Sequence, residues 1–234
     1  IGFHEVMIAR EETIKEVKKH EVYHKVPIKE CWDKTGKAPI KTRWIDINKG
    51  DKIHPELRSR LVAKDYNTGK RPDLFAATPP LEALKLLISL WMTEGIGYGN
   101  FEPYVMDFID IRRAYFHAYA TREVYVELPM EDHQDGMCGK LYKSMYGTRD
   151  AAQNWEAAYT EFMKGIGFTI GKSSPCIFHN KDRDIRAVIH GDDFTMLGSR
   201  ESLDWFKARI MDKFEIKHKG LSLIHISEPT RPQA

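Results

Sequence analysis

The chain has 234 residues, 42% hydrophobic and 30% charged, with a formal net charge of +2, enough for one large domain or two small ones with a real core. The near-neutral total excludes a chain that courts a polyanion along its whole length. Three widely spaced cysteines, Cys31, Cys138 and Cys176, form no CxxC pair, which argues against a zinc site or a disulfide framework and for a reducing compartment.

Residues 1–20 are polar and mixed in charge, and "TIKEVKKHEVYHKV" predicts a helix. "IGFHE", with no initiating Met, reads as a start inside a longer protein. Residues 34–71 hold eleven Lys/Arg against four Asp/Glu, a local basic patch. Within it, "KAPIKTRWIDINKGDK" alternates around Trp44, Ile45 and Ile47 and meets the turn signal "NKGD", which predicts a hairpin arm. "RSRLVAKDY" reads as the returning strand. Arg58, Arg60 and Lys64 are spaced by even numbers, so a strand places them on one face.

"PPLEALKLLISLWMTEG" predicts a core helix, with Leu81, Leu84, Leu87 and Leu90 at helical spacing, Pro79 and Pro80 at the start and Gly95 near the stop. "YVMDFIDIRRAYFHA" reads as a strand entering a turn or helix start, and "REVYVELP" as a strand ending at Pro129. "AAQNWEAAYTEFMKGIGF" predicts a helix that stops at Gly165 or Gly167. "CIFHN" and "IRAVIHGDDFTMLG" read as two short strands joined by "KDRD". "SRESLDWFKARIMDKF" predicts a helix capped by Ser199 or Ser202. No internal repeat, low-complexity linker, signal peptide or apolar run of about 18 residues is present, so no membrane partner is expected.

Carboxylates stand out against these apolar strands. Asp192 and Asp193 are adjacent, and Asp107 and Asp110 lie in "MDFIDI". "GDD" fits a tight turn and nothing more. It also fits a metal site, because buried unpaired carboxylates cost several kcal/mol each and a divalent cation between them removes that cost. Hard oxygen ligands suit Mg²⁺. Two such ions about 3.5–4 Å apart serve in-line attack at phosphorus.

Four segments, in order, resemble the reverse transcriptase domain of copia-type retrotransposon polyproteins, from about Ile40 to Gly220: "RLVAKDY", "DIRRAYFHA" with "EVYVELP", "KLYKSMYGTRDAAQNW", and "HGDD". The resemblance implies an α+β fold of fingers and palm, with an antiparallel palm sheet backed by helices. It implies RNA-directed DNA polymerase activity with two Mg²⁺ ions, Mn²⁺ being an alternative. Asp110, Asp192 and Asp193 would be the catalytic, metal-holding residues, with Asp192 in the more direct contact. Asp107 would be structural.

Tyr115 would be the ring that blocks a 2′-hydroxyl. Arg60 and Lys64 would meet the triphosphate, and Arg149 would attract phosphates. The implied partners are an RNA or DNA template with its primer and deoxynucleoside triphosphates, in the cytoplasmic particle of the element or the nucleus. Oligomeric state is left open. His190 and Gly191 depart from the family pattern, as do Asp150 and Ala152 within "YGTRDAA"; His190 is expected to pack on the primer strand.

Two other classes share some of these residues. A metal-dependent phosphohydrolase also needs paired carboxylates, but no basic arm and no Tyr115 gate. A catalytically inactive remnant would keep the fold and residual nucleic-acid binding. The expected organisation is a polyprotein flank over 1–39, fingers and palm over 40–220 with thumb and RNase H missing, and a tail over 221–234. That tail resembles, residue for residue from Leu221 to Arg231, the translation of a transposase adapter used in sequencing libraries. It is expected to be foreign and loosely attached.

Overall fold

The computed structural model describes residues 2–51, 54–66, 76–93 and 104–222. The chain divides into two compact units, Ile1–Ala76 with Arg113–Glu161 and Ala77–Arg112 with Phe162–Ala234. Helix and antiparallel sheet are mixed in both. Among the described residues no helix is long and apolar enough to cross a membrane.

The first unit opens with α1 (Phe3–Lys19), β1 (Tyr23–Pro27) and α2 (Ile28–Thr35). The helix foreseen near the N-terminus therefore starts earlier and stops before "EVYHKV", whose residues feed β1. β2 (Thr42–Asn48) and β3 (Leu57–Ala63) pair antiparallel from Thr42↔Ala63 to Asn48↔Leu57, the expected basic arm. Ser59, Leu61 and Ala63 are buried, whereas Arg58 is exposed and Arg60 half-buried, as period-two alternation requires. Leu61 and Ala63 join Ile14, Val17, Phe116 and Val126 in one apolar cluster.

β4 (Val105–Ile111) belongs to the second unit and is followed by a short 3-10 turn at Ala114–His117 in the first. β5 is only Tyr125–Val126, shorter than "REVYVELP" suggested. It is also buried on both sides: Val124 and Val126 face the main cluster, while Tyr125 packs with Cys31 and Cys138. β6 (Met137–Leu141) pairs with β1 on one side and β5 on the other. The segment before residue 40 is therefore built into this unit. α4 (Ala151–Gly165) follows where expected.

The second unit is a six-stranded antiparallel sheet, ordered β11-β4-β10-β9-β8-β7. The strands are β7 (Thr169–Ile170), β8 (Ile177–Asn180), β9 (Ile185–His190), β10 (Asp193–Gly198) and β11 (Ile216–Ser222). The stretch read as one strand, "IRAVIHGDDFTMLG", is thus two strands and a turn. α3 (Leu81–Met92) packs one face of the sheet. Its buried residues are Ala83 and Leu87, with Leu90 and Trp91 against the same cluster, while Leu81 is 61% exposed. The leucine stripe is therefore only half a core stripe. Gly95 lies outside the described residues. α5 (Arg200–Lys213) is capped by Ser199, whose hydroxyl accepts from the Ser202 N–H.

Strand alternation gives the sheet two distinct faces. Met106, Val188 and Leu197 lie under α3. Further along that same face, two residues on, come Phe108 and Thr195, then Asp110, Asp193 and His190. Asp107 differs from Asp110 by an odd number and lies on the other face.

Candidate active site

The pairing of β10 with β4 sets Asp193 directly opposite Asp110. Directly opposed residues of an antiparallel pair share a face, with Cβ atoms about 4.5–5.5 Å apart. β9 and β10 are joined by the two residues Gly191 and Asp192, with His190 paired to Asp193. Gly191 has φ of +63°. A positive φ at the first central position is what a tight hairpin demands, and glycine adopts it without strain. The Ile111 N–H donates to the Asp192 carbonyl at 2.9 Å, which ties the turn to the end of β4. "GDD" is therefore both things the sequence allowed, a hairpin turn and a gathering of three carboxylates.

Burial raises the Asp192 carboxyl above the usual range, and repulsion from Asp110 and Asp193 adds to it. Counter-charge arrives from β11. Lys219 Nζ lies 2.5 Å from Asp193 Oδ1 and 3.3 Å from Asp110 Oδ1. Its hydrogen bond to Asp193 comes first in holding the Lys219 ammonium above its ordinary pKa. The three carboxylates are a hard-oxygen donor set, and a cation already sits between two of them, so the residues fit a divalent ion. Beside them is a cavity of about 470 Å³ lined by Leu81, Leu84, Phe108, His190, Asp193 and Lys219. His190 is exposed at its edge.

Asp107 is 2% exposed and takes no part in this cluster. Its carboxylate lies 2.6 Å from His218 Nε2, the structural role foreseen for it. Sequence reasoning missed both Lys219 and His218. The only trace was the alternating "KHKG" after α5, which was not read as a strand.

The other expected residues belong to the first unit. The Arg60 guanidinium lies 5.6 Å from the centre of the Tyr146 ring, and the half-buried Tyr115 ring lies 4.8 Å from that same ring. Tyr146, passed over in the sequence, therefore links the two. Arg58, Arg60, Arg113 and Tyr146 also line one cavity. Lys64, Asp65, Arg122 and Arg149 line another.

Arg149 Nε lies 3.1 Å from Asp65 Oδ1. Arg122 bridges Asp65 and Asp150, the latter at 2.9 Å. Burial works against the charge on Asp65, but the Arg122 hydrogen bond and the Arg149 N–H outweigh it and hold its pKa below the ordinary carboxylate value. Asp150 adds no open negative charge. It is 3% exposed and also accepts from Asn154. Arg149 thus enters an internal ion-pair network, a use of its charge that the sequence did not reveal.

The model of the family described as reverse transcriptase (RNA-dependent DNA polymerase) matches residues 29–226, and the chain belongs to that family. Among curated proteins it is similar to the retrovirus-related Pol polyprotein from transposon TNT 1-94 of Nicotiana tabacum, at 24% identity over 228 residues, 92% of this chain. It is also similar to the retrovirus-related Pol polyprotein from transposon RE1 of Arabidopsis thaliana, at 26% identity over 188 residues, 74% of this chain. The aligned segments make up 16% and 12% of those polyproteins, so the chain spans a small part of their length. By ancestry it is an RNA-directed DNA polymerase domain of a retrotransposon Pol polyprotein. The family match runs past Gly220, and the backbones of Leu221 and Ser222 pair with Asp107 and Met106 in β11. The remainder of the expected foreign tail lies outside the described residues.

Proposed function

We propose that this chain is the polymerase centre of its parent polyprotein, transferring deoxynucleotides to a primer 3′-hydroxyl on an RNA or DNA template. In this reading the second unit is the palm and the first the fingers. One observation carries it: Asp193 stands opposite Asp110 on adjacent strands, with Asp192 at the turn beside them.

Asp110, Asp192 and Asp193 would hold two Mg²⁺ ions, or Mn²⁺, through carboxylate oxygens. Such ions lower the pKa of a bound hydroxyl and stabilise a leaving pyrophosphate. The aspartates themselves supply position and negative charge rather than a covalent bond. Bringing cations to them relieves the repulsion that lifts the Asp192 pKa.

Arg60 and Lys64 serve the triphosphate, Arg through paired N–H donors and Lys as a point charge. Tyr115 presents ring bulk against a 2′-hydroxyl. The outward Arg58 and Arg60 give the β2–β3 arm a basic face, so template binding weakens as salt rises. Base pairing reads the template, and the protein needs no base-specific contact. The second reading is a non-catalytic remnant that binds nucleic acid; the commitment of Arg149 to Asp65 favours it.

The test is extension of a DNA primer annealed to an RNA template, with deoxynucleoside triphosphates and Mg²⁺. Extension supports the polymerase. Template binding without extension identifies the remnant. Phosphate release from nucleotides without extension identifies a phosphohydrolase.

A further inference from the structure

Lys219 occupies a place that the cluster reserves for a cation. The pairing of β11 with β4 runs regularly from Ile216↔Ile111 through His218↔Ile109 and then slips by one residue, so that Gly220 and not Lys219 stands opposite Phe108. Lys219 is the extra residue of a bulge, a device that re-aims a side chain beside a site. Gly220 has φ of +109°, a backbone conformation open to glycine and costly to other residues. "KG" at 219–220 therefore builds the bulge, which holds Lys219 one position nearer to Asp110 than an unbroken strand would.

The flank of the bulge is anchored from the other face. His218 contacts the buried Asp107 at 2.6 Å, and Lys207 Nζ of α5 lies 3.3 Å from His218 Nδ1. Lys219 is left on the carboxylate face, with its ammonium bridging Asp193 and Asp110. The bridge is accessible: the Lys219 side chain is 44% exposed and that of Asp193 55%. A lysine has four rotatable carbons with which to swing aside.

We propose that Lys219 is a tethered cation that competes with the divalent ion for Asp110 and Asp193. It neutralises the carboxylates while the site is empty of metal and must leave them for an ion to bridge the pair. Lys219 thereby sets the concentration of free ion at which the site fills. This inference rests on the reading that the aspartates hold a divalent cation.

The test measures Mn²⁺ affinity of the full chain by electron paramagnetic resonance of the free ion, without nucleotide or template. Lys219→Met should bind Mn²⁺ about three- to thirtyfold more tightly than the parent, the range expected for loss of two partly exposed ion pairs. Lys219→Arg, which keeps the charge, should stay near the parent. An affinity for Lys219→Met equal to or weaker than the parent's overturns the inference.

Asp193→Asn in the Lys219→Met background separates the two claims. If Mn²⁺ binding is lost with Asp193 but Lys219→Met alone changes nothing, only the role of Lys219 falls. If the tight site survives Asp193→Asn, the ion is elsewhere and the metal reading falls too. A measurement on the parent guards against a variant that fails to fold. Acylation of the Lys219 amine, followed by peptide mass, should rise when Mn²⁺ is added, and unchanged labelling overturns the inference.

Discussion

The Asp107 carboxylate and the His218 imidazole meet at 2.6 Å on the face of the sheet away from Asp110. Asp107 is almost wholly buried, so His218 is what makes its polarity tolerable there. Replacing His218 by Ala strands a buried acceptor. The expected loss is about 1–3 kcal/mol of stability, read from urea unfolding. Asp107→Asn should recover part of it in the double variant, and an unchanged midpoint in His218→Ala would contradict the pairing.

Arg122 holds two buried carboxylates, Asp65 and Asp150. Arg122→Met should destabilise the chain at pH 7 by roughly 2–3 kcal/mol, below the usual cost of breaking a buried pair because the Arg122 side chain is 32% exposed.

The same network predicts a pH dependence. The folded pKa of Asp65 is depressed below its ordinary value. Its contribution is therefore fully present above the unfolded pKa and is lost as pH falls through the folded value. The parent should lose stability below about pH 4, and Arg122→Met should lose less over that interval. Parallel acid titrations followed by circular dichroism check this, and identical slopes would count against it.

Tyr115→Ala separates a sugar gate from a packing residue. A gate predicts greater ribonucleotide use relative to deoxynucleotide in single-nucleotide incorporation. Loss of ring packing against Tyr146 predicts lower stability without a changed ratio, up to roughly 3–5 kcal/mol if the ring behaves as fully buried. An unchanged ratio removes the gate.

Local periodicity and caps made much of the fold legible. The β2–β3 arm, α3, α4 and Ser199-capped α5 carry their signals within a dozen or so residues. β1, β6 and β11 do not, because they become strands only by pairing with partners distant in the chain. β11 was the costly omission, since it brings both Lys219 and His218. The three aspartates were found because carboxylates in apolar strands are conspicuous. The engagement of Arg149 was hidden because Asp65 is 84 residues away.

The alternation of "LSLIHI" suits both a strand and a translated adapter, so pairing of Leu221 and Ser222 does not distinguish them. The proposal that residues 221–234 are foreign predicts that resequencing from an independent library yields different codons after Gly220. The same codons joined to further coding sequence would make the tail native.

Asp192→Asn tests the central claim most directly. It keeps the shape of the turn, removes one negative charge from a crowded trio, and should leave the thermal midpoint without metal unchanged or raised. Mg²⁺-dependent extension of a DNA primer on an RNA template, measured for parent and variant side by side, is predicted to be present in the parent and abolished in Asp192→Asn. Extension by the variant at the parental rate would contradict the account.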